Sequence, residues 1–206
     1  MTGPSTSRSP MSIEDYLAFE ETAFDRHEYV SGEVYTLSGA TPRHNVICSN
    51  ILRALHAPAR RRGCRVYMEA IKLRAASDII YYPDIIVSCA RAKDDDLVIA
   101  NPSFIVDVAS TSTRTIDRRE KLATYRRITS LQAYLMVEQK RRQAVLYSRE
   151  GVDEWQRLEL VDAGDVALSF LECVLTLNEI YDDIELPPMR VGEETDDDYD
   201  VDPEDE

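Results

Sequence analysis

The chain has 206 residues, of which 38 are acidic and 24 basic, and a formal net charge of −14. This length suits one domain with a sizeable core. Ten of the acids lie in residues 193–206, so residues 1–192 hold 28 acids against 24 bases, a net charge of −4. The overall charge therefore does not exclude a polyanionic partner.

The cysteine and histidine patterns argue against several classes of protein. The four cysteines form no CxxC pair, and the three histidines form no HExxH motif. These patterns argue against a disulfide scaffold, a zinc knuckle and a zinc hydrolase. The longest stretches without charge span ten residues, 97–106 and 128–137, and residues 1–10 lack the basic start and apolar core of a secretory signal. The sequence thus predicts no membrane span and a protein of the reducing cytoplasm.

The N-terminal part is predicted as helix, hairpin and helix. Residues 1–11 are small and polar, which predicts a disordered N-terminus. The first helix begins after Ser12, which suits an N-terminal cap. Residues 27–35 predict two strands joined by a tight turn at Ser31 and Gly32, because this pair tolerates positive φ. Apolar residues at helical spacing predict a long helix from Thr41 to about residue 62.

The remainder predicts a sheet with helices. Predicted strands cover 65–74, 80–89, 104–109, 132–138 and 142–148, a helix covers 117–128, and an amphipathic stretch covers 171–181. Two of the strands, 80–89 and 104–109, are apolar on both faces apart from one position each, which indicates central strands. The fold class is therefore α/β, an α+β domain with a mixed sheet covered on both sides. The domain spans 12–186, followed by a disordered acidic tail, 187–206.

Two carboxylates stand inside these apolar runs. Asp84 lies between Tyr81-Tyr82-Pro83 and three aliphatic residues, and Asp107 lies within FIVDVA, residues 104–109. A buried carboxylate is costly unless it meets a cation, a metal or several donors. Each acid alone is explained as well by a buried ion pair or a strand-end turn. A pair on neighbouring strands favours a divalent cation, which holds both ionised.

Lys121 is a candidate for the same site. On the predicted helix 117–128 it shares one face with Tyr125 and Ile128, and we expect this face to lie toward the sheet. There an ammonium group would stabilise negative charge on a phosphate or orient a water molecule. The alternative is a surface lysine paired with Asp117 at i,i+4 spacing.

Five short segments resemble, in their order and spacing, one enzyme family. They are 27–33 (HEYVSGE), 41–45 (TPRHN), 81–85 (YYPDI), 105–113 (IVDVASTST) and 117–121 (DRREK). The chain is similar to the Uma-two (Uma2) family of restriction-type endonucleases, a branch of the PD-(D/E)XK nuclease superfamily. The resemblance implies a restriction-endonuclease-like core, a central sheet flanked by helices, with an N-terminal helix and hairpin.

The resemblance also implies four catalytic residues. Asp84 matches the superfamily's first metal-binding aspartate, and Asp107 matches its second acid. Lys121 matches a lysine that has moved to the following helix, and Glu33 matches a glutamate beside the site. The cofactor implied is Mg²⁺, with Mn²⁺ as an alternative ion. The alternative for Glu33 is an exposed strand residue.

The sequence departs from the family pattern near Asp107. Relatives usually have glutamate there, and the superfamily lysine two residues later is replaced by Ala109. The shorter Asp107 withdraws its oxygens by one methylene, which matters because Mg²⁺ requires near-octahedral geometry. These departures motivate a second hypothesis, a nuclease-fold module that has lost catalysis and binds DNA or a protein.

The substrate implied is DNA. His44, Arg114 and Arg118 are the candidate substrate-binding residues, although for His44 a helix cap is the favoured alternative. Arginine-rich segments at 60–62 and 140–142 add positive charge that would attract a nucleic acid backbone if it flanks the carboxylates. Cutting two strands makes a homodimer a reasonable expectation.

Overall fold

The computed structural model describes residues 10–37, 39–68, 70–109, 115–152 and 154–186. The acidic tail, 187–206, and residues 1–9 of the predicted disordered N-terminus lie outside these ranges. Met11 is described, and its backbone N–H donates to the Gly32 carbonyl at 3.1 Å. In the described part of the chain, no helix has both the length and the apolar character needed to cross a membrane.

The N-terminal elements agree with the prediction from sequence. They are α1 (Ile13–Thr22), β1 (His27–Val30), β2 (Glu33–Thr36) and α2 (Pro42–Arg61). The Ser12 side chain accepts a hydrogen bond from the Asp15 N–H, which caps α1. Ser31 and Gly32 have φ of 48° and 96°, as the tight turn of the β1–β2 hairpin requires.

The middle of the chain contains more strands than predicted. The strands are β3 (Arg65–Met68), β4 (Lys72–Ala76), β5 (Ile79–Tyr81), β6 (Ile85–Ser88), β7 (Val98–Ile99) and β8 (Phe104–Ala109). The single strands predicted at 65–74 and 80–89 are therefore wrong, since each run is divided in two. The second break falls at Tyr82, Pro83 and Asp84. Proline has no N–H to donate to a ladder, so the strand ends there.

Helix α3 and the strands after it form the C-terminal part. The elements are α3 (Thr115–Arg126), β9 (Ala133–Glu138), β10 (Gln143–Arg149), β11 (Trp155–Val161), β12 (Asp165–Leu168), a 3₁₀ turn (Ser169–Leu171), β13 (Cys173–Thr176) and α4 (Leu177–Ile180). The continuous amphipathic element predicted at 171–181 is wrong. Glu172 has φ of 51°, a left-handed conformation that separates the 3₁₀ turn from β13.

The described strands form three sheets. The largest has the order β11-β10-β9-β8-β6-β3, the second has the order β2-β1-β5-β4-β7, and the hairpin β12-β13 is the third. Strand β8 lies inside the largest sheet, antiparallel to β6 and parallel to β9. The chain passes from the second sheet into the largest one between β5 and β6. Asp84 therefore lies at the junction of the two sheets.

Apolar layers cover both faces of β8, which confirms the prediction of a central strand. Phe104, Val106 and Val108 belong to the cluster that contains Ile51 of α2. Ile105, on the opposite face, belongs to the cluster that contains Tyr125 of α3. Because side chains alternate along a strand, Asp107 lies on the same face as Ile105. This face is the one that meets α3 and the second sheet.

A disulfide joins Cys64 to Cys89. The two residues directly precede β3 and follow β6, whose ladder pairs Arg65 with Ser88, so they are cross-strand neighbours. The cysteine spacing gave no sign of this bond, and the sequence argued against a disulfide scaffold. The pairing depends on strand register, which no local cysteine motif encodes. Among the described cysteines, Cys48 and Cys173 form no disulfide.

Candidate active site

The two acids singled out in the sequence lie side by side. In the β6–β8 ladder Ile85 pairs with Val106, so one further step of this antiparallel register sets Asp84 opposite Asp107. The Val108 N–H donates to Asp84 Oδ2 at 2.6 Å, which ties the first acid to the strand of the second. Strands β6 and β8 are neighbours, with Asp84 directly before β6 and Asp107 within β8.

Asp84 is also held by helix α2. His44 Nε2 lies 3.0 Å from Asp84 Oδ1, and both side chains are largely buried. The other ring nitrogen, Nδ1, lies 3.7 Å from the Cys48 thiol. The helix cap is Thr41, whose hydroxyl accepts from the His44 N–H at 3.2 Å. The alternative in which His44 is the cap is therefore wrong, because its ring faces the candidate site.

Asp107 occupies an environment that opposes ionisation. The Tyr134 hydroxyl donates to its Oδ2 at 3.0 Å. The pKa of Asp107 is raised to about 7, chiefly by burial; the neighbouring Asp84 and Glu28 also raise it, and Lys121 lowers it. The carboxyl thus responds strongly to positive charge brought close to it.

Lys121 faces the sheet. Its Nζ donates to Glu28 Oε1 at 2.8 Å, and only 13% of its side chain is exposed. The ammonium also lies 5.2 Å from the centre of the Tyr81 ring, where a cation–π interaction adds to its placement. The alternative of a solvent-facing lysine is wrong.

Glu28 belongs to this cluster, and sequence reasoning missed it. It lies in β1, is 6% exposed, and accepts from the Tyr82 N–H at 3.2 Å in addition to Lys121. Glu33, the residue expected beside the site, is exposed on β2, and its carboxylate accepts from the Tyr35 hydroxyl at 2.5 Å. Of the two glutamates of the β1–β2 hairpin, Glu28 and not Glu33 thus contacts Lys121.

A pocket of about 480 Å³ contains the cluster. Its lining includes Glu28, His44, Asp84, Asp107, Arg118 and Lys121, but not Glu33. Arg118 pairs with Glu138 at the end of β9, with Nη1 3.1 Å from Oε1. The predicted substrate-binding residue Arg114 lies outside the described residues.

The arginines at the end of α2 lie far from this pocket. Arg60 follows His44 by sixteen residues on the same helix, which corresponds to roughly 24 Å along the helix axis. Arg62 pairs there with Glu172 at 3.0 Å. This cluster does not flank the carboxylates as the sequence suggested, because the length of α2 separates the two.

The charges of the pocket suit a divalent cation. Glu28, Asp84 and Asp107 carry three negative charges when ionised, and Lys121 offsets one of them. Burial is the main cause of the raised pKa of Asp107, and the negative charges of Asp84 and Glu28 add to it. A nearby dication would offset the effect of these charges. Carboxylate oxygens are the donors that Mg²⁺ and Mn²⁺ prefer.

A second group of potential ligands adjoins the first. Ligand atoms of His44, Cys48 and Asp84 lie within 4.8 Å of one another. His44, however, directs a different ring nitrogen to each of the other two residues. One ion cannot bind both nitrogens of one ring. The arrangement therefore suits the orientation of Asp84 by His44 rather than the binding of an ion by all three residues.

The raised pKa of Asp107 predicts a pH dependence of stability in the metal-free protein. The folded-state pKa, about 7, exceeds the ordinary value of 3.8, so the folded state binds this proton more tightly than the unfolded state. The resulting stability is complete below about pH 4 and is lost as pH rises through about 7. We expect Asp107→Asn to lose less stability than wild type between these limits. Urea unfolding in EDTA measures the difference, and equal losses for both proteins would contradict the prediction.

Comparison with known proteins identifies the family. Residues 13–178 match the model of the Uma2 family, described as "Putative restriction endonuclease". The chain is 30% identical over 167 residues to uncharacterized protein sll1609 of Synechocystis sp. (strain ATCC 27184 / PCC 6803 / Kazusa). The aligned region covers 79% of this chain and 94% of that protein. It is 28% identical over 174 residues to uncharacterized protein slr1290 of the same organism, 81% of this chain and 92% of that protein.

A solved structure shares the fold. The crystal structure of "a putative nuclease belonging to DUF820" from Anabaena variabilis ATCC 29413 matches with a TM-score of 0.68 and 16% sequence identity. The match covers 83% of this chain and 97% of that one. The mixed α+β architecture thus agrees with the predicted restriction-endonuclease-like core, and the family model covers most of the sequence. The chain belongs to the Uma2 family.

Proposed function

We propose that this protein is a metal-dependent endonuclease of the PD-(D/E)XK type that hydrolyses phosphodiester bonds in DNA. The observation that carries the proposal is the convergence of Asp84, Asp107, Glu28 and Lys121 in one pocket. The family description and the nuclease fold of the solved relative support the reaction type. Asp84 and Asp107 are the proposed metal ligands, for Mg²⁺ or Mn²⁺.

Each acid has a support that fixes its orientation. Asp84 accepts from the Val108 N–H and lies against His44, so its carboxylate is held before substrate arrives. Tyr134 does the same for Asp107. A divalent ion at these oxygens supplies Lewis-acid stabilisation of the charge on the scissile phosphate.

Lys121 is the proposed electrostatic catalyst. Its ammonium group, held by Glu28 and the Tyr81 ring, supplies positive charge next to the carboxylates. A fixed positive charge stabilises the charge that develops on a phosphate in the transition state. Glu28 then acts as a positioning residue for Lys121.

Arg118 is the proposed phosphate-binding residue within the pocket. Its side chain is largely buried and paired with Glu138, so a phosphate would meet an oriented guanidinium group. His44 acts through Asp84 in this proposal, and Arg114 retains its expected role in binding the substrate. A cytoplasmic location and a homodimer that cuts both strands also belong to the proposal.

The second candidate is a nuclease-fold module without catalysis. The motivating observation is that Asp107, in place of the usual glutamate, keeps a pKa near 7 and can stay protonated. Such a module would bind no Mg²⁺ and would keep its affinity for DNA after Asp84→Asn. Isothermal calorimetry with Mg²⁺, followed by DNA-binding titrations, separates it from the enzyme.

Cleavage of supercoiled plasmid DNA tests the main proposal. We expect wild-type protein to nick or linearise the plasmid with Mg²⁺ or Mn²⁺ and to lose this activity in EDTA. The double variant Asp84→Asn/Asp107→Asn, purified in the same way, controls for contaminating nuclease. Absence of cleavage with every metal, or equal cleavage by the double variant, would reject the enzyme.

A further inference from the structure

Strand β11 is a long strand at one edge of the largest sheet. It has seven residues, Trp155–Val161, and β10 is its one neighbour in the sheet among the described strands. The other strands at sheet edges in the two larger sheets are β3 and β2, with four residues each, and β7, with two. An exposed edge strand offers a row of backbone donors and acceptors to another strand.

The side chains of β11 include apolar surface. Leu158 is 44% exposed and Val161 is 40% exposed. Leu158 stands opposite Leu146 of β10, which belongs to the core beneath α2. The apolar row of this core therefore continues to the edge of the sheet and ends there.

Two opposite charges flank the centre of the strand. Arg157 and Glu159 lie on either side of Leu158, on one face, with Nη2 and Oε2 2.8 Å apart. Gln143 of β10 also donates to Glu159 Oε1 at 2.5 Å, which holds this carboxylate over the sheet. The centre of the edge thus carries one positive and one negative side chain, whose charges cancel.

We propose that β11 pairs antiparallel with β11 of a second copy of this chain and so joins two six-stranded sheets. Leu158 is the middle residue of the strand, so full overlap pairs Leu158 with Leu158 of the second copy. In this register Arg157 faces Glu159 of the second copy, and Glu159 faces its Arg157. Opposite charges in directly opposed positions stabilise a strand pair, and the twofold axis gives two such contacts.

The same pattern opposes other registers. Pairing must shift in steps of two residues to keep each side chain on its own face of the sheet. A shift one way sets Arg157 against Arg157, and a shift the other way sets Glu159 against Glu159. Like charges in these positions destabilise the pair. The second copy, in one register, is therefore the occupant that fits this edge.

Charge exchange combined with analytical ultracentrifugation tests the proposal. We expect a concentration-dependent dimer for wild type, and a dimer dissociation constant about tenfold higher or more for Arg157→Glu or Glu159→Arg alone. The double variant Arg157→Glu/Glu159→Arg restores complementarity and should dimerise like wild type. An equimolar mixture of the two single variants should form a heterodimer, because each supplies the charges that the other lacks.

Arg62→Glu is the matched control. It makes the same charge change in the exposed ion pair with Glu172, away from β11, and should leave the dimer unchanged. The proposal is overturned if wild type stays monomeric at all concentrations, if Arg62→Glu weakens the dimer as much as Arg157→Glu, or if the double variant stays as weak as the single ones. None of these measurements uses cleavage, so the result is independent of the proposed enzyme activity.

Discussion

Asp84→Asn is expected to lower the rate of DNA cleavage by about a thousandfold or more. The substitution removes one unit of negative charge from a proposed metal ligand. The remaining amide oxygen can still accept from the Val108 N–H, so the fold around the pocket should persist. Single-turnover cleavage at saturating protein measures the chemical step directly, and calorimetry with Mg²⁺ measures the expected loss of metal affinity.

Asp78→Asn is the control for this variant. Asp78 accepts from the Ser31 hydroxyl on the exposed surface, and the change in charge is the same. Its cleavage rate should stay close to that of wild type. A rate for Asp84→Asn within a few-fold of wild type would remove Asp84 from the catalytic site.

Glu28→Gln and Glu33→Gln are expected to differ by roughly a hundredfold in cleavage rate. Glu28 accepts a hydrogen bond from Lys121, whereas Glu33 is exposed and bonded to Tyr35. Loss of a residue that orients a catalytic group commonly costs 10- to 100-fold. We therefore expect a slow Glu28→Gln enzyme and a Glu33→Gln enzyme near wild type.

A purely structural effect of Glu28→Gln has a distinct signature. If Glu28 only stabilises the fold, the variant should unfold at lower denaturant concentration while its folded fraction cleaves at the wild-type rate. If Glu28 positions Lys121, the rate falls for fully folded protein, and the pH profile of cleavage shifts because Lys121 loses its charged partner. The opposite ranking, with Glu33→Gln slower, would restore the assignment made from sequence.

The carboxylate pair could be predicted because its signal is local. A single acid within an aliphatic run is conspicuous in both 81–87 and 104–109. Lys121 could be predicted in the same way from its spacing with Tyr125 and Ile128 on the predicted helix 117–128, although α3 ends at Arg126. Both inferences need only the periodicity of one element.

The part that Glu28 takes in the site could not be predicted from the periodicity of one element. Its strand, β1, has four residues, too few for an apolar pattern to stand out. Its role depends on Lys121, which lies 93 positions away in the chain. The family resemblance points instead to Glu33, at the other end of the hairpin.

The division of 80–89 into two strands could have been predicted from the sequence. Pro83 marks a position where a ladder is interrupted. What no local pattern could reveal is that β5 and β6 join different sheets, since this depends on contacts with β1 and β8. Register and sheet membership are tertiary properties, and the alignment of Asp84 with Asp107 depends on both.

The disulfide between Cys64 and Cys89 encloses the segment that carries Asp84. Closing a separation of 25 residues restricts the unfolded chain, an effect of about 3.5 kcal/mol in the loop-entropy description. Reduction would withdraw this contribution, while the hydrogen bonds between β3 and β6 would still set the strand register. The redox state of the surroundings would thus govern how much of the protein is folded rather than how its pocket is arranged.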